Sequence, residues 1–271
     1  VRFFRLHLAG EDMDVDTETL AAVAVDAAQA GGAYLEANFR NGHTEADYLV
    51  DDVKAVADRE AEKRALAVVA DHFPGHATHG EESGRQGDSP FVWVVDPLDG
   101  TNNFASDLPL FATAVTAVYE GDPVAAAIYE PLPDTTYVAE RGGGARVDGR
   151  PVTAGSQVPL ETGTVSLVLG LPAIRDPEKR ELAETIGDSL ESVCKRVLET
   201  WSPCVDWGLV ADGSIEGIVC FHPDVYEQYP GSLLAAESGV VSRTTESLYV
   251  GAGDEATLDE LWAAIPASIR G

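Results

Sequence analysis

The stretch WVVDPLDGTNNF, residues 93–104, decides how this sequence is read. An apolar run, Trp93-Val94-Val95, leads straight into Asp96-Pro97-Leu98-Asp99-Gly100-Thr101. A buried strand that delivers Asp96 at its end is a rigid platform for a ligand. Pro97 fixes its own φ and keeps Asp96 out of the helical region. The tight turn that follows lets the Asp96 and Asp99 carboxylates face one side, with the Leu98 carbonyl between them. Two carboxylates and a backbone carbonyl suit Mg²⁺, Mn²⁺ or Ca²⁺ better than zinc. Gly100-Thr101-Asn102 has the composition of a helix start, where free N–H groups can hold a phosphate oxygen. By itself the string is equally a polar turn or a calcium loop.

Working outward, GEESG at 80–84 closes the preceding strand, and paired glutamates there call for a ligand. Asp58, after the run DDVKAVAD, reads on its own as a solvated helix acid. Helical spacing predicts a first helix over 15–39, through Leu20, Val23, Ala24, Ala27, Tyr34, Leu35 and Phe39. A second helix is predicted over 52–72, stopped by Pro74-Gly75. Strands follow around ATHGE and FVWVV. From Phe111 to Val152, short apolar runs separated by Gly121-Asp122-Pro123, Pro133-Asp134 and Asp148-Gly149 predict an antiparallel meander.

Beyond Gly163 the texture alternates. Strand TVSLVLG, a helix near 176–190, strand CKRVLE and helix SPCVDWGLVADG come first. Strand SIEGIVCF, helix YPGSLLAAESG, strand SLYVG and a helix from Asp254 to before Pro266 follow. The fold class expected is α/β (α+β), with an α+β half over 1–155 carrying the acidic motifs and an α/β half over 156–271.

Composition narrows the function classes. Asp and Glu total 46 against 18 Lys and Arg, a formal charge of −28 over 271 residues. No basic cluster is available to neutralise a phosphate backbone, so no nucleic-acid partner is expected. The acid excess, with only four lysines, resembles proteins of a high-salt cytoplasm, as in halophilic archaea. Cys194, Cys204 and Cys220 lack CxxC spacing and read as reduced, buried thiols. No run has membrane-spanning length, and the opening 14 residues do not form a secretory signal. The expectation is a soluble, cytoplasmic protein without a membrane partner, with residues 1–12 an upstream extension or a poorly packed arm. His72, His76 and His79 are irregularly spaced and read as packing residues, and Gly142-Gly143-Gly144 as a hairpin turn. Trp207 and Trp262 read as core residues on helix faces.

The succession VADREAEKRALAVVADHFPGHATHGEESG, WVVDPLDGTNNF and VYEPLPDTTYVAERGGGARVDGRPV resembles the inositol monophosphatase family of metal-dependent phosphatases, over roughly residues 15–265. That superfamily includes fructose-1,6-bisphosphatases and 3′-phosphoadenosine 5′-phosphate phosphatases. The resemblance implies a layered αβαβα sandwich, a homodimer, and Mg²⁺ (two or three ions, with Mn²⁺ an alternative). It implies that Glu81, Asp96 and the Leu98 carbonyl hold the first ion, and that Asp96 bridges to a second held by Asp99. Asp58 and Thr101 would orient the attacking water, with Glu81 alongside them as a catalytic group, and the N–H groups of Gly100 and Thr101 would hold the phosphate. No organic cofactor is implied. The partner is a small phosphorylated metabolite, in a two-metal hydrolysis.

The chain departs from the family pattern in three places. The aspartate expected to complete the second ion falls on Glu227, preceded by Tyr226 in place of Trp, and Asp224 is the alternative ligand. The small Gly-Ser/Thr-Ala-Ala stretch near the substrate is replaced by Trp201-Ser202-Pro203-Cys204. Cys220 stands where inositol phosphatases carry an acid, and reads as a buried strand residue. The expected activity is a Mg²⁺-dependent phosphomonoesterase of the inositol-1-phosphate type, acting on a small sugar or polyol phosphate. The rivals are a fructose-1,6-bisphosphatase, a 3′-phosphoadenosine 5′-phosphate phosphatase, and a catalytically weakened member serving as a binding or regulatory protein.

Overall fold

The computed structural model describes residues 16–48, 53–155 and 157–270; the extension expected at 1–12 lies outside them. The chain begins with α1 (Thr17–Arg40), a hairpin of β1 (Ala46–Tyr48) and β2 (Val53–Ala55), and α2 (Val56–His72). Next come β3 (Ala77–Gly80), β4 (Gly84–Gln86), β5 (Phe91–Asp99) and the short α3 (Thr101–Ala105). The meander is β6 (Ala112–Tyr119), β7 (Asp122–Glu130), β8 (Thr135–Glu140), β9 (Gly144–Val147) and β10 (Arg150–Val152). Then follow β11 (Thr164–Leu169), α4 (Leu171–Arg175), α5 (Pro177–Glu191), β12 (Arg196–Leu198) and α6 (Pro203–Ala211). The chain closes with β13 (Gly217–Phe221), α7 (Val225–Ser238), β14 (Val241–Thr244), β15 (Leu248–Ala252), α8 (Glu255–Ala264) and α9 (Ala267–Arg270).

An eight-stranded sheet runs β10-β9-β8-β7-β6-β5-β3-β4, and a five-stranded sheet runs β12-β11-β13-β15-β14. Strand pleat sorts side chains between layers. Trp93 and Val95 of β5 join Leu20, Val23 and Ala27 of α1 and Val69 of α2 on the outer face of the large sheet. Val92 and Val94 point the other way, against Tyr226 and Tyr229 of α7. Helices α6 and α7 fill the space between the sheets. Cys204, Val205 and Leu233 pack on Ala114, Ile128 and Tyr137 of the large sheet. Trp207, Val210 and Ala235 pack on Val168, Ile218 and Cys220 of the small one. Helices α5 and α8 cover the remaining face through Ile186, Leu190, Leu258 and Leu261. The layers are therefore αβαβα, as expected. No helix among the described residues is long and apolar enough to cross a membrane.

Three boundaries differ from the sequence reading. The helix expected from residue 52 starts at Val56, because residues 53–55 pair with 46–48 as a hairpin, and ladder bonds displace the first helical turn. The helix expected from Tyr229 starts at Val225 and carries Pro230 inside it. A capping box made by Asp224 and Glu227 sets that earlier start, since it satisfies N–H groups that a proline start would leave open. The short edge strands β4 and β14 have no apolar alternation; they form because β3 and β15 offer open edges to pair with. The glycine run is a hairpin turn, as read, and Glu237 of α7 accepts from the N–H groups of Gly142 and Gly144 at 2.8 and 2.9 Å.

Candidate active site

The site forms where β5 loses its register. Asp96 pairs with Ala114 and Asp99 with Ala112, so Pro97 and Leu98 of β5 together oppose the single Thr113 of β6. This bulge turns the Asp96 and Asp99 side chains toward one another. Their carboxylate oxygens and the Cys204 sulfur all lie within 4.8 Å of one another, and all three residues are buried. The Thr113 hydroxyl donates to the Pro97 carbonyl at 2.9 Å and pins the bulge from beneath. Thr101 Oγ1 donates to the Leu98 carbonyl at 2.9 Å, closing the turn. Gly100 has φ +90°, and a Cβ there would lie 2.9 Å from the Leu110 carbonyl and 3.1 Å from Ser202. Only glycine allows this backbone to approach so closely.

Glu81 arrives by strand pairing. Parallel β3 matches Gly80 to Val95, and the Glu81 N–H continues the ladder to the Val95 carbonyl at 3.2 Å. Glu81 therefore emerges beside Asp96. Glu227 sits in the first turn of α7, where it accepts from the Asp224 N–H at 3.0 Å. Tyr226, next to it, meets His79 Nε2 at 3.1 Å, tying α7 to β3.

The structure thus brings Glu81, Asp96, Leu98, Asp99, Gly100, Thr101 and Glu227 to one cavity, together with Asp224. Asp58 is buried in the first turn of α2 and is not among the residues lining it. Cys220 packs between the sheets, in the apolar cluster of Trp207 and Ala235.

The electrostatics are those of crowded, buried acids. Burial, then the charges of Glu81, Asp99, Glu227 and Asp224, push the Asp96 carboxyl well above its usual range. Burial raises Asp99 to about 7, although the Ser202 hydroxyl and the Cys204 N–H both favour its anion. Burial and Asp99 raise Glu227 as well. Among the described residues, one oxygen of Asp96, Oδ1, is buried with no hydrogen-bond partner. An unpaired buried carboxylate oxygen is costly, and a divalent cation is the partner that hard oxygen donors take. The residues present fit such an ion.

Three positioning residues escaped the sequence reading. Glu62, one turn beyond Asp58 on the buried face of α2, accepts from the Glu82 N–H at 2.7 Å and holds the turn that carries Glu81. The Ser202 hydroxyl donates to Asp99 Oδ2, which also accepts from the Cys204 N–H at 3.0 Å. Asp206 is buried and accepts from Thr200 Oγ1 at 2.8 Å; burial raises its carboxyl to about 8. The available signal was an acid within the otherwise apolar helical run PCVDWGLVA, at Asp206; Glu62 lies in the charged stretch DREAEKR, where nothing local singles it out.

The profile of the Inositol monophosphatase family matches residues 16–264. The chain is 30% identical over 224 residues to the "Fructose-1,6-bisphosphatase/inositol-1-monophosphatase" of Aquifex aeolicus, covering 81% of this chain and 83% of that one. It is 32% identical over 190 residues to the "Inositol-1-monophosphatase" of Mesorhizobium japonicum, covering 69% of this chain and 70% of that one. In fold it resembles the extragenic suppressor protein suhB of Bartonella henselae, with a TM-score of 0.82 at 23% identity over 92% of this chain and 99% of that one. The acid cluster at the β5 bulge lies inside the matched region, and the chain belongs to the inositol monophosphatase family, a family of phosphatases.

Proposed function

We propose that this protein is a Mg²⁺-dependent phosphomonoesterase that hydrolyses a small sugar or polyol monophosphate, of the inositol-1-phosphate type. The observation that carries the proposal is the buried, unpartnered Asp96 Oδ1 among the carboxylates of Asp99, Glu81 and Glu227. In this reading Glu81, Asp96, the Leu98 carbonyl, Asp99 and Glu227 hold divalent cations. When bound, these supply Lewis-acid stabilisation of the phosphoryl oxygens and a more acidic water. The protein's own part is positioning. The bulge fixes the two aspartates, Ser202 and the Cys204 N–H lock Asp99, and Glu62 fixes the turn before Glu81. Thr101, which lines the cavity, orients the attacking water, with Asp58 acting on it from outside the lining residues, and the Gly100 and Thr101 N–H groups hold the phosphate.

The cavity favours one phosphate over two. Among the described residues that line it, none is Lys or Arg, so no side chain there pairs with a second dianion. The name of the Aquifex relative supports the second reading, activity on fructose-1,6-bisphosphate. The test is release of inorganic phosphate with Mg²⁺ from inositol-1-phosphate, fructose-1,6-bisphosphate and 3′-phosphoadenosine 5′-phosphate. Inositol-1-phosphate is expected to be the best substrate, and Asp96→Asn to abolish turnover and weaken metal binding. Wild-type activity in Asp96→Asn would overturn the site assignment. Release from no substrate would favour a binding protein.

A further inference from the structure

Trp201 is placed against the usual preferences of its residue type. Its φ is +59°, in the left-handed region that bulky L-residues avoid. The other described non-glycine residues with positive φ are Asp107, Glu120, Asp134, Asp148 and His222, all smaller or polar. The bend itself has a clear cause. Thr200 Oγ1 accepts from the Ser202 N–H at 3.0 Å, and the turn delivers the Ser202 hydroxyl and Cys204 N–H to Asp99. Glycine would make this turn without strain.

Trp201 nevertheless stands there, 51% exposed between two buried neighbours. Among the described residues no ring or cation stacks on its indole. Core packing therefore does not account for it. Its side chain lines the same cavity as Asp96 and Thr101, together with Leu169, Ile174 and Glu199. Leu169, Ile174, Glu199 and Trp201 also line an adjoining depression along α5.

Resting on the phosphomonoesterase reading, we propose that Trp201 is a stacking platform that selects substrates whose alcohol carries a ring. The chemical class is a monophosphate of a sugar or cyclitol. The C–H face of such a ring lies on the indole, its hydroxyls donate to the exposed Glu199 carboxylate, and its phosphate points toward the aspartates. An indole face and an adjacent carboxylate meet both halves of a carbohydrate, the apolar face and the hydroxyl edge. Acyclic phosphate esters reach the aspartates without engaging the indole.

The experiment compares inositol-1-phosphate with acyclic glycerol-2-phosphate in the full chain with Mg²⁺, for wild type, Trp201→Phe and Trp201→Gly. In Trp201→Gly the ratio of KM for the cyclic ester to KM for the acyclic one rises by about tenfold, the scale of one lost aromatic contact. Trp201→Phe retains most of the preference. The melting temperature of Trp201→Gly does not fall, because glycine relieves the φ strain. An unchanged ratio, or equal changes in both KM values, overturns the proposal. Indole fluorescence separates this outcome from failure of the phosphatase reading. Inositol-1-phosphate changes the wild-type emission, and the change is lost in Trp201→Phe. If no phosphate is released but this spectral change is seen, the platform stands and the phosphatase reading fails. If Trp201→Phe shows the wild-type change, the platform is excluded.

Discussion

Glu227 accepts a hydrogen bond from the backbone N–H of Asp224 at 3.0 Å, and the Asp224 carboxylate in turn caps the first turn of α7. One carboxylate therefore starts the helix and also faces Asp99 across the cavity. The second-cation ligand proposed here is thus fixed by a device whose first purpose is structural.

The two roles separate by substitution. Glutamine serves a capping box as well as glutamate does. Glu227→Gln is expected to melt close to wild type while binding Mg²⁺ roughly ten- to a hundredfold more weakly. Glu227→Ala loses the cap too, at about 1 kcal/mol. Titration calorimetry and thermal melts measure both; unchanged metal affinity in Glu227→Gln would move the ligand to Asp224.

The Asp99 lock predicts a stability and rate effect at a residue outside the DPLDGT string. Ser202→Ala removes the hydroxyl that Asp99 accepts from while both groups stay buried. Leaving that acceptor short of a donor costs about 1–3 kcal/mol. Chemical denaturation should show the loss, with a lower kcat for phosphate release. Wild-type values in both would show that the Cys204 N–H suffices.

Cation binding should stabilise the fold. The carboxylates of Glu81, Asp96, Asp99 and Glu227 repel one another in its absence. At a hundred times the dissociation constant an ion adds about 2.7 kcal/mol. That is a rise of roughly 5–10 °C in Tm for a chain of this size. Differential scanning calorimetry with Mg²⁺, then with a chelator, measures it. Asp96→Asn should lose most of the response.

A pH effect is expected away from the site. The Trp93 indole N–H donates to His76 Nδ1 at 3.0 Å, and the imidazole stacks on Phe73 and Phe91, each with ring centroids 4.6 Å away. Burial holds the His76 pKa below 6.5. The unfolded chain therefore takes up the proton first. The stability this neutral ring contributes is complete above pH 6.5 and is lost as pH falls through the folded value. Between about pH 7.5 and 5 the Tm of wild type should fall more steeply than that of His76→Phe, since the other titrating groups are common to both and phenylalanine at that position takes up no proton. Parallel curves would exclude the effect.

The chain shows where local pattern suffices. Trp93-Val94-Val95 announces a buried strand, but the tight turn read directly after Asp96 is a bulge inside that strand, which runs on to Asp99 because Asp99 regains its pairing with Ala112. The spacing of Leu20, Val23, Ala24 and Ala27 likewise sets the face that α1 buries. These features depend on neighbours within a few residues. The start of α7 was less legible, because Pro230 looks like a first-turn residue until the reciprocal bonds of Asp224 and Glu227 are seen.

By itself the sequence determined the layer-forming periodicities, the DPLDGT turn and the acid-rich character of the site. Only the tertiary structure decided which acids meet. Glu81 reaches Asp96 because β3 and β5 pair in parallel, and Ser202 reaches Asp99 across 103 residues of chain. Glu62 and Asp206 became positioning residues only once their apolar faces closed around them. The physical reason is that hydrophobic period encodes which face is buried, whereas the partner of a buried polar group is chosen by long-range packing. That packing leaves no mark in the local pattern of either residue.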